Sequence, residues 1–136
     1  DIMDQFMNEM AVWNMMSTAY ISNAIFFAAC AFLIWVGFRF TSRIYYEGNI
    51  NLMGKIFTTL FCLSIGAFTF FTMAQGQALA QGTASAFSAL SDVQDISSNA
   101  QSLIDNSDGK LNLVQWIFLV SVLVMQLTQI WTKKPA

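Results

Sequence analysis

The side chains in this sequence that could do chemistry are few. Among the 136 residues there is no histidine, which removes the commonest metal ligand, the haem axial ligand and the usual proton shuttle. The two cysteines, Cys30 and Cys62, both fall within apolar runs. Counted from the ends of those runs their depths nearly match, so a disulfide or a shared ligand needs only that their faces meet. The expected role of both is that of small apolar fillers, since a secreted disulfide framework uses more cysteines in polar loops. The methionines are the other soft donors. Met3, Met7 and Met10 line one helical face, with Met15 and Met16 following, and thioethers suit Cu(I). The same face serves equally well as plain apolar surface, so no metal is assigned and copper on Met3, Met7 and Met10 stays a secondary reading. There is no phosphate-binding glycine loop and no nucleophile–base pair. An enzyme is not expected, nor a cofactor of its own; a bound lipid, or a pigment tail in an apolar groove such as one formed by Phe68, Phe70 and Phe71, is compatible with the composition.

The composition explains this poverty. The chain is 56% hydrophobic and only 10% charged, with a mean hydropathy of +0.53, where soluble domains carry about 25% charged residues. Apolar runs long enough to span a bilayer account for the deficit. The net charge of −2 and the lack of any broad basic cluster argue against nucleic-acid binding. A chain that starts at Asp1 rather than Met is expected either to have lost a leader or to be part of a longer product.

The pattern reads as a single all-α integral membrane domain with three transmembrane helices. Residues 1–17 give an amphipathic interfacial helix, with Met3, Phe6, Met7, Met10 and Trp13 opposite Asp4, Gln5, Asn8 and Glu9; Val12 falls on the wrong side. Residues 20–38 form the first span, and Ala24, Ala28 and Ala31 give it a strip of small residues. Residues 39–55 read as a loop carrying Arg39, Arg43 and Lys55. Residues 56–76 form the second span. Residues 77–110 lie outside the bilayer and contain a short amphipathic helix at 92–105, capped by Ser91 with Gln94 and with Asp92 and Asp95 in its first turn. Residues 111–132 form the third span, and 133–136 a tail with Lys133 and Lys134.

Polar and small residues inside these elements suggest contacts, not reactions. No Asp, Glu, Lys or Arg falls inside a span, so the groups that mark proton relays and ion paths are missing. Gln115, Gln126 and Gln129 punctuate the third span, and amides in hydrocarbon seek partners on other helices. Gly76, Ala80 and Ala84, and beside them Ala78, Gly82 and Ala86, repeat at four-residue spacing and would let a neighbouring helix approach closely.

Orientation follows from the bases. Arg39, Arg43, Lys55, Lys133 and Lys134 fall on one side; the N-terminus and the acidic segment holding Asp92 and Asp95 fall on the other. The positive-inside bias then gives N-terminus out and C-terminus in, with the aromatics at the span ends in agreement. A bacterial plasma membrane is the expected location. The expected function is that of a non-catalytic accessory or structural subunit, joined to other membrane subunits through helix packing and the acidic outer helix. The layout of three spans with a basic inner tail also resembles that of class I phage holins, which implies a self-assembling pore former as the alternative. A copper-handling subunit associated with a membrane oxygenase is the weaker alternative.

Overall fold

The computed structural model describes residues 1–135. Four helices are present and no strand among the described residues: α1 (Ile2–Glu47), α2 (Leu52–Ser91), α3 (Ser98–Asn106) and α4 (Leu113–Trp131). Three of them, α1, α2 and α4, are long and apolar enough to cross a membrane. The 19 residues of α4 make roughly 28 Å of helix at about 1.5 Å per residue, close to the thickness of the hydrocarbon core. With 46 and 40 residues, α1 and α2 are each about twice as long as a span requires.

Two of the expected boundaries disappear because nothing in the sequence breaks the helix there. Residues 1–17 do not form a separate interfacial helix. No Gly or Pro occurs between Ile2 and Val36, and α1 runs through Ser17–Tyr20 without interruption. The hydroxyl of Thr18 donates to the Asn14 carbonyl at 3.0 Å, so even the polar stretch is satisfied within the helix. Most of the expected 39–55 loop is helical as well. Arg43 pairs with Glu47 at 3.1 Å across the last turn of α1, and the helix ends only where a glycine adopts the left-handed cap conformation. That residue is Gly48, at φ +68°, whose N–H donates to the Ile44 carbonyl at 3.1 Å. The linker is left with four residues, 48–51, and Asn51 starts α2 by accepting the Gly54 N–H at 2.8 Å.

Further along, α2 continues past Gly76 and Gly82 to Ser91, because Ala, Leu and Gln favour helix and each Gly costs only about 1 kcal/mol. The expected helix at 92–105 starts six residues later. Ser91 turns its hydroxyl back onto the Ser88 carbonyl, at 2.6 Å. The cap is instead Ser97, whose Oγ accepts the Ala100 N–H at 3.2 Å. Asp92 and Asp95 therefore precede α3 and do not sit in its first turn. Asn112 and Gln115 form a capping box that opens α4.

Contacts divide the chain into two compact units. In the first, Asp1–Ile25 with Met73–Leu111, the core is built from Phe87, Ala100, Ala84 and Met73, and the Trp13 ring lies tilted on Phe87 at 4.9 Å between centroids. In the second, Phe26–Thr72 with the chain from Asn112 onward, parts of α1, α2 and α4 pack around Ile44, Cys62 and Ile130, with Ile50 and Leu127 against them. Gly66 makes this packing close, since a Cβ there would stand 2.8 Å from a Leu123 methyl.

The interior takes in polar side chains along with apolar ones, while the exterior is rich in large apolar residues. Thr41, Thr69, Thr72 and Gln126 are buried, whereas Phe32, Phe57, Phe68 and Phe71 are exposed. In water this distribution would expose far too much apolar surface. It is the one expected where lipid replaces water and small residues let helices close together.

Candidate functional site

The second unit holds a polar seam between α1 and α4. Gln126 is 1% exposed and donates from Nε2 to the Ile34 carbonyl at 3.3 Å. That carbonyl is reachable because Gly37, one turn on, has no side chain: a Cβ there would lie 2.7 Å from Gln126 Nε2. Gln126 Oε1 is buried with no partner. One turn further, Gln129 Oε1 accepts the Thr41 hydroxyl at 2.7 Å. Gln115 has a different task, since its Oε1 accepts the Asn112 N–H at 3.0 Å in the capping box. Two of the three glutamines thus bind α1 within this chain, and the third caps its own helix.

The cysteines sit on the same inner faces but not opposite each other. Both are buried and free. Cys30 Sγ lies 3.7 Å from Thr72 Oγ1; that hydroxyl already donates to the Phe68 carbonyl at 2.8 Å, so the thiol is the donor. Cys62 instead faces Gly37, its Sγ 3.7 Å from the Cβ that position lacks. The short 48–51 linker sets this register. Depths counted from a longer loop make the two thiols level, and they are not.

In the first unit the clasp residues are Gln5, Asn8, Glu9, Gln94 and Ser97. The Glu9 carboxylate accepts both the N–H of Ser97, at 3.1 Å, and its hydroxyl. Gln94 Nε2 donates to the Gln5 carbonyl at 2.8 Å, and Asn8 Nδ2 donates to Gln94 Oε1 at 3.1 Å. Trp13 Nε1 adds a bond to Glu9 at 3.3 Å. Glu9 lies outside the apolar stretch of α1, and the Ser97 hydroxyl holds its carboxyl below the ordinary 4.5, against a smaller opposing effect of burial. This clasp is why Gln94 does not cap a helix at Ser91 and why α3 starts where it does. Sequence reasoning placed Glu9 on a solvated face. The signal that could have found it was Val12, which belongs to the same inward stripe as Gln5, Glu9 and Met16.

The small-residue strips separate in their use. The Gly76 carbonyl accepts the Tyr20 hydroxyl at 3.4 Å, Asn23 packs over Gly76, and Ala80 and Ala84 turn inward. Ala78, Gly82 and Ala86 are exposed, as are Ala24, Ala28 and Ala31. Asp92 and Asp95 are exposed. Met3, Met7 and Met10 share one exposed face of α1, and no group of three or more His, Cys, Asp or Glu suited to a metal occurs among the described residues.

The five bases expected to set topology all lie in the second unit, three of them with aromatic partners. Arg39 lies 5.6 Å from the Trp35 ring centre, Lys55 5.8 Å from Trp131 and Lys134 5.1 Å from Tyr46. Lys133 joins Lys55 and Lys134 around one cavity, and Arg43 is held by Glu47. No protein-family model matches the chain, and no curated protein or solved structure matches it.

Proposed function

We propose that this chain is a non-catalytic subunit of a larger membrane protein complex, joined to other subunits through exposed small-residue helix faces. The proposed orientation puts the N-terminus and the acidic segment around Asp92 and Asp95 outside the cytoplasm. Arg39, Arg43, Lys55, Lys133 and Lys134 lie inside, and a bacterial plasma membrane is the proposed location.

One observation carries the reading. Gly82 has nothing within 4 Å of the position a Cβ would take. It floors an open groove of about 240 Å³ lined also by Val12, Met16, Ala78 and Ala86. A glycine costs helix stability and gains nothing where its face stays open, whereas a helix crossing over it gains close backbone approach. Within the second unit the glutamines already bond inside the chain. Of the two expected contact surfaces, the amides of α4 and the small-residue face of α2, this favours the latter.

The test is purification from membranes in mild detergent. The wild type is expected to come out with foreign subunits in fixed stoichiometry, and Gly82→Leu, which fills open space, is expected to lose them while keeping its helix content. A pure homo-oligomer that makes membranes leak on expression would sink the proposal in favour of the pore former.

A further inference from the structure

We infer that the second unit carries a binding site for an anionic phospholipid headgroup, with Lys55, Lys133 and Lys134 as its cationic ligands. The inference needs the apolar helices to lie in a bilayer but not the subunit reading above.

The site is a cavity of about 200 Å³ where the end of α1, the first turn of α2 and the end of α4 come together. Its floor is apolar, made by Ile44 and Ile130, the same residues that form the core beneath. Its rim is basic and hydroxylic, made by Lys55, Lys133, Lys134, Tyr45, Tyr46 and Thr132. Among the described residues lining it none is acidic. The one nearby carboxylate in sequence, Glu47, is occupied by Arg43 Nε at 3.1 and 3.2 Å.

The lysines are placed, not merely numerous. Trp131 is pinned to α2 by a bond from Nε1 to the Thr59 hydroxyl at 3.1 Å, and Lys55 Nζ lies over that ring. Lys134 Nζ lies over Tyr46. Ammonium groups held against ring faces keep donors free for a further acceptor, because the ring contact uses the charge and not a directed hydrogen bond. With Lys133 these two lysines bring three cations to the lining of one small cavity, a charge that an anion between them would offset.

The chemistry shared by candidate ligands is a phosphate oxygen cluster. A phosphodiester headgroup matches the site better than free phosphate does, since an apolar floor beneath a basic rim suits an amphiphile. Basic pockets between membrane helices at the interface are the general form of such sites.

The experiment titrates the full chain, as purified from membranes, with phosphatidylglycerol, phosphatidylcholine and inorganic phosphate, and reads bound species by native mass spectrometry. Phosphatidylglycerol is expected to be preferred over phosphatidylcholine by about tenfold or more, at roughly a severalfold gain per lysine. The triple variant K55Q/K133Q/K134Q is expected to lose that preference, and Lys110→Gln, in the other unit, is expected to keep it. Each single variant is expected to lose part, so the graded series stands if the triple variant does not fold. Equal binding of the two lipids, or full preference in the variants, would overturn the site. Lysine-dependent binding of phosphate without a lipid preference would overturn the lipid source. A chain that never enters the membrane fraction would instead overturn the bilayer placement on which the inference rests.

Discussion

Glu9 shows how one carboxylate can decide where a helix begins. It takes both donors of Ser97, the residue that caps α3, and the charge adds to the strength of each bond. Because the folded carboxyl titrates below its ordinary value of 4.5, the unfolded state binds more protons through that window and stability rises with pH there. The contribution of Glu9 is fully present above 4.5 and is lost as the pH falls through the folded value. The protection of the Ala100–Leu103 amides, taken relative to intrinsic exchange at each pH, is therefore expected to fall in acid, and Glu9→Gln is expected to remove that dependence while costing about 1 kcal/mol at neutral pH. Protection that stays constant across the acid range in the wild type would refute the clasp. Gln126 gives a second, opposite case. Its Oε1 has no partner, so Gln126→Leu gives up one weak bond together with an unsatisfied acceptor, and the net change is expected to stay within about 1 kcal/mol. Gly37→Ala, which must push Gln126 off the Ile34 carbonyl, is expected to cost about 1–3 kcal/mol in denaturation from detergent. In the Gln126→Leu background most of that cost is expected to vanish, since the shorter side chain leaves room. Additive costs in the double variant would show that the crowding lies elsewhere.

The elements were legible by existence and misread at their ends. Three long charge-free runs announce three spans, since no other composition explains them. Their ends are marked by charges, and Arg39, Arg43 and Glu47 resemble a loop by composition alone. Charge does not break a helix, however, and the Arg43–Glu47 pair strengthens the last turn of α1. Hydropathy also misleads about which face turns inward. In α1 the apolar methionines Met3, Met7 and Met10 are exposed, while Glu9 and Val12 are partly covered. Beside lipid an apolar side chain gains nothing by facing protein, so amphipathicity loses its direction. Ser91 and Ser97 could not be told apart as caps, because the choice depends on Glu9, far away in sequence. The turn itself gives a clean test. Gly48 sits at φ +68° with nothing within 4 Å of a Cβ position, so the cost of a side chain there is purely one of backbone. Gly48→Val is expected to destabilise the α1–α2 hairpin by about 1–2 kcal/mol and Gly48→Asn by less, in detergent unfolding. Equal costs for the two would mean that the turn does not need the left-handed conformation.

At the scale of the whole molecule the proposed orientation is argued from charge. Arg39, Arg43, Lys55, Lys133 and Lys134 lie in one unit, while Lys110 is the lone base near the acidic stretch that includes Asp92, Asp95, Asp105 and Asp108. Acids weigh little in the orientation rule, so the asymmetry to be tested is five bases against one. Both native thiols are buried, which leaves room for a single reporter. Cysteine placed at Asn99, exposed on α3, is expected to react with a membrane-impermeant maleimide on intact cells. Cysteine placed at Lys133 is expected to react only after the membrane is opened. The opposite pattern would invert the proposed topology. Replacing Arg39, Arg43 and Lys55 with Gln should then make the two reporters react to comparable extents, because Lys133 and Lys134 alone leave a margin of only one base over Lys110. Unmixed labelling in that variant would mean that orientation is imposed by an assembly partner and not by this chain's own charge.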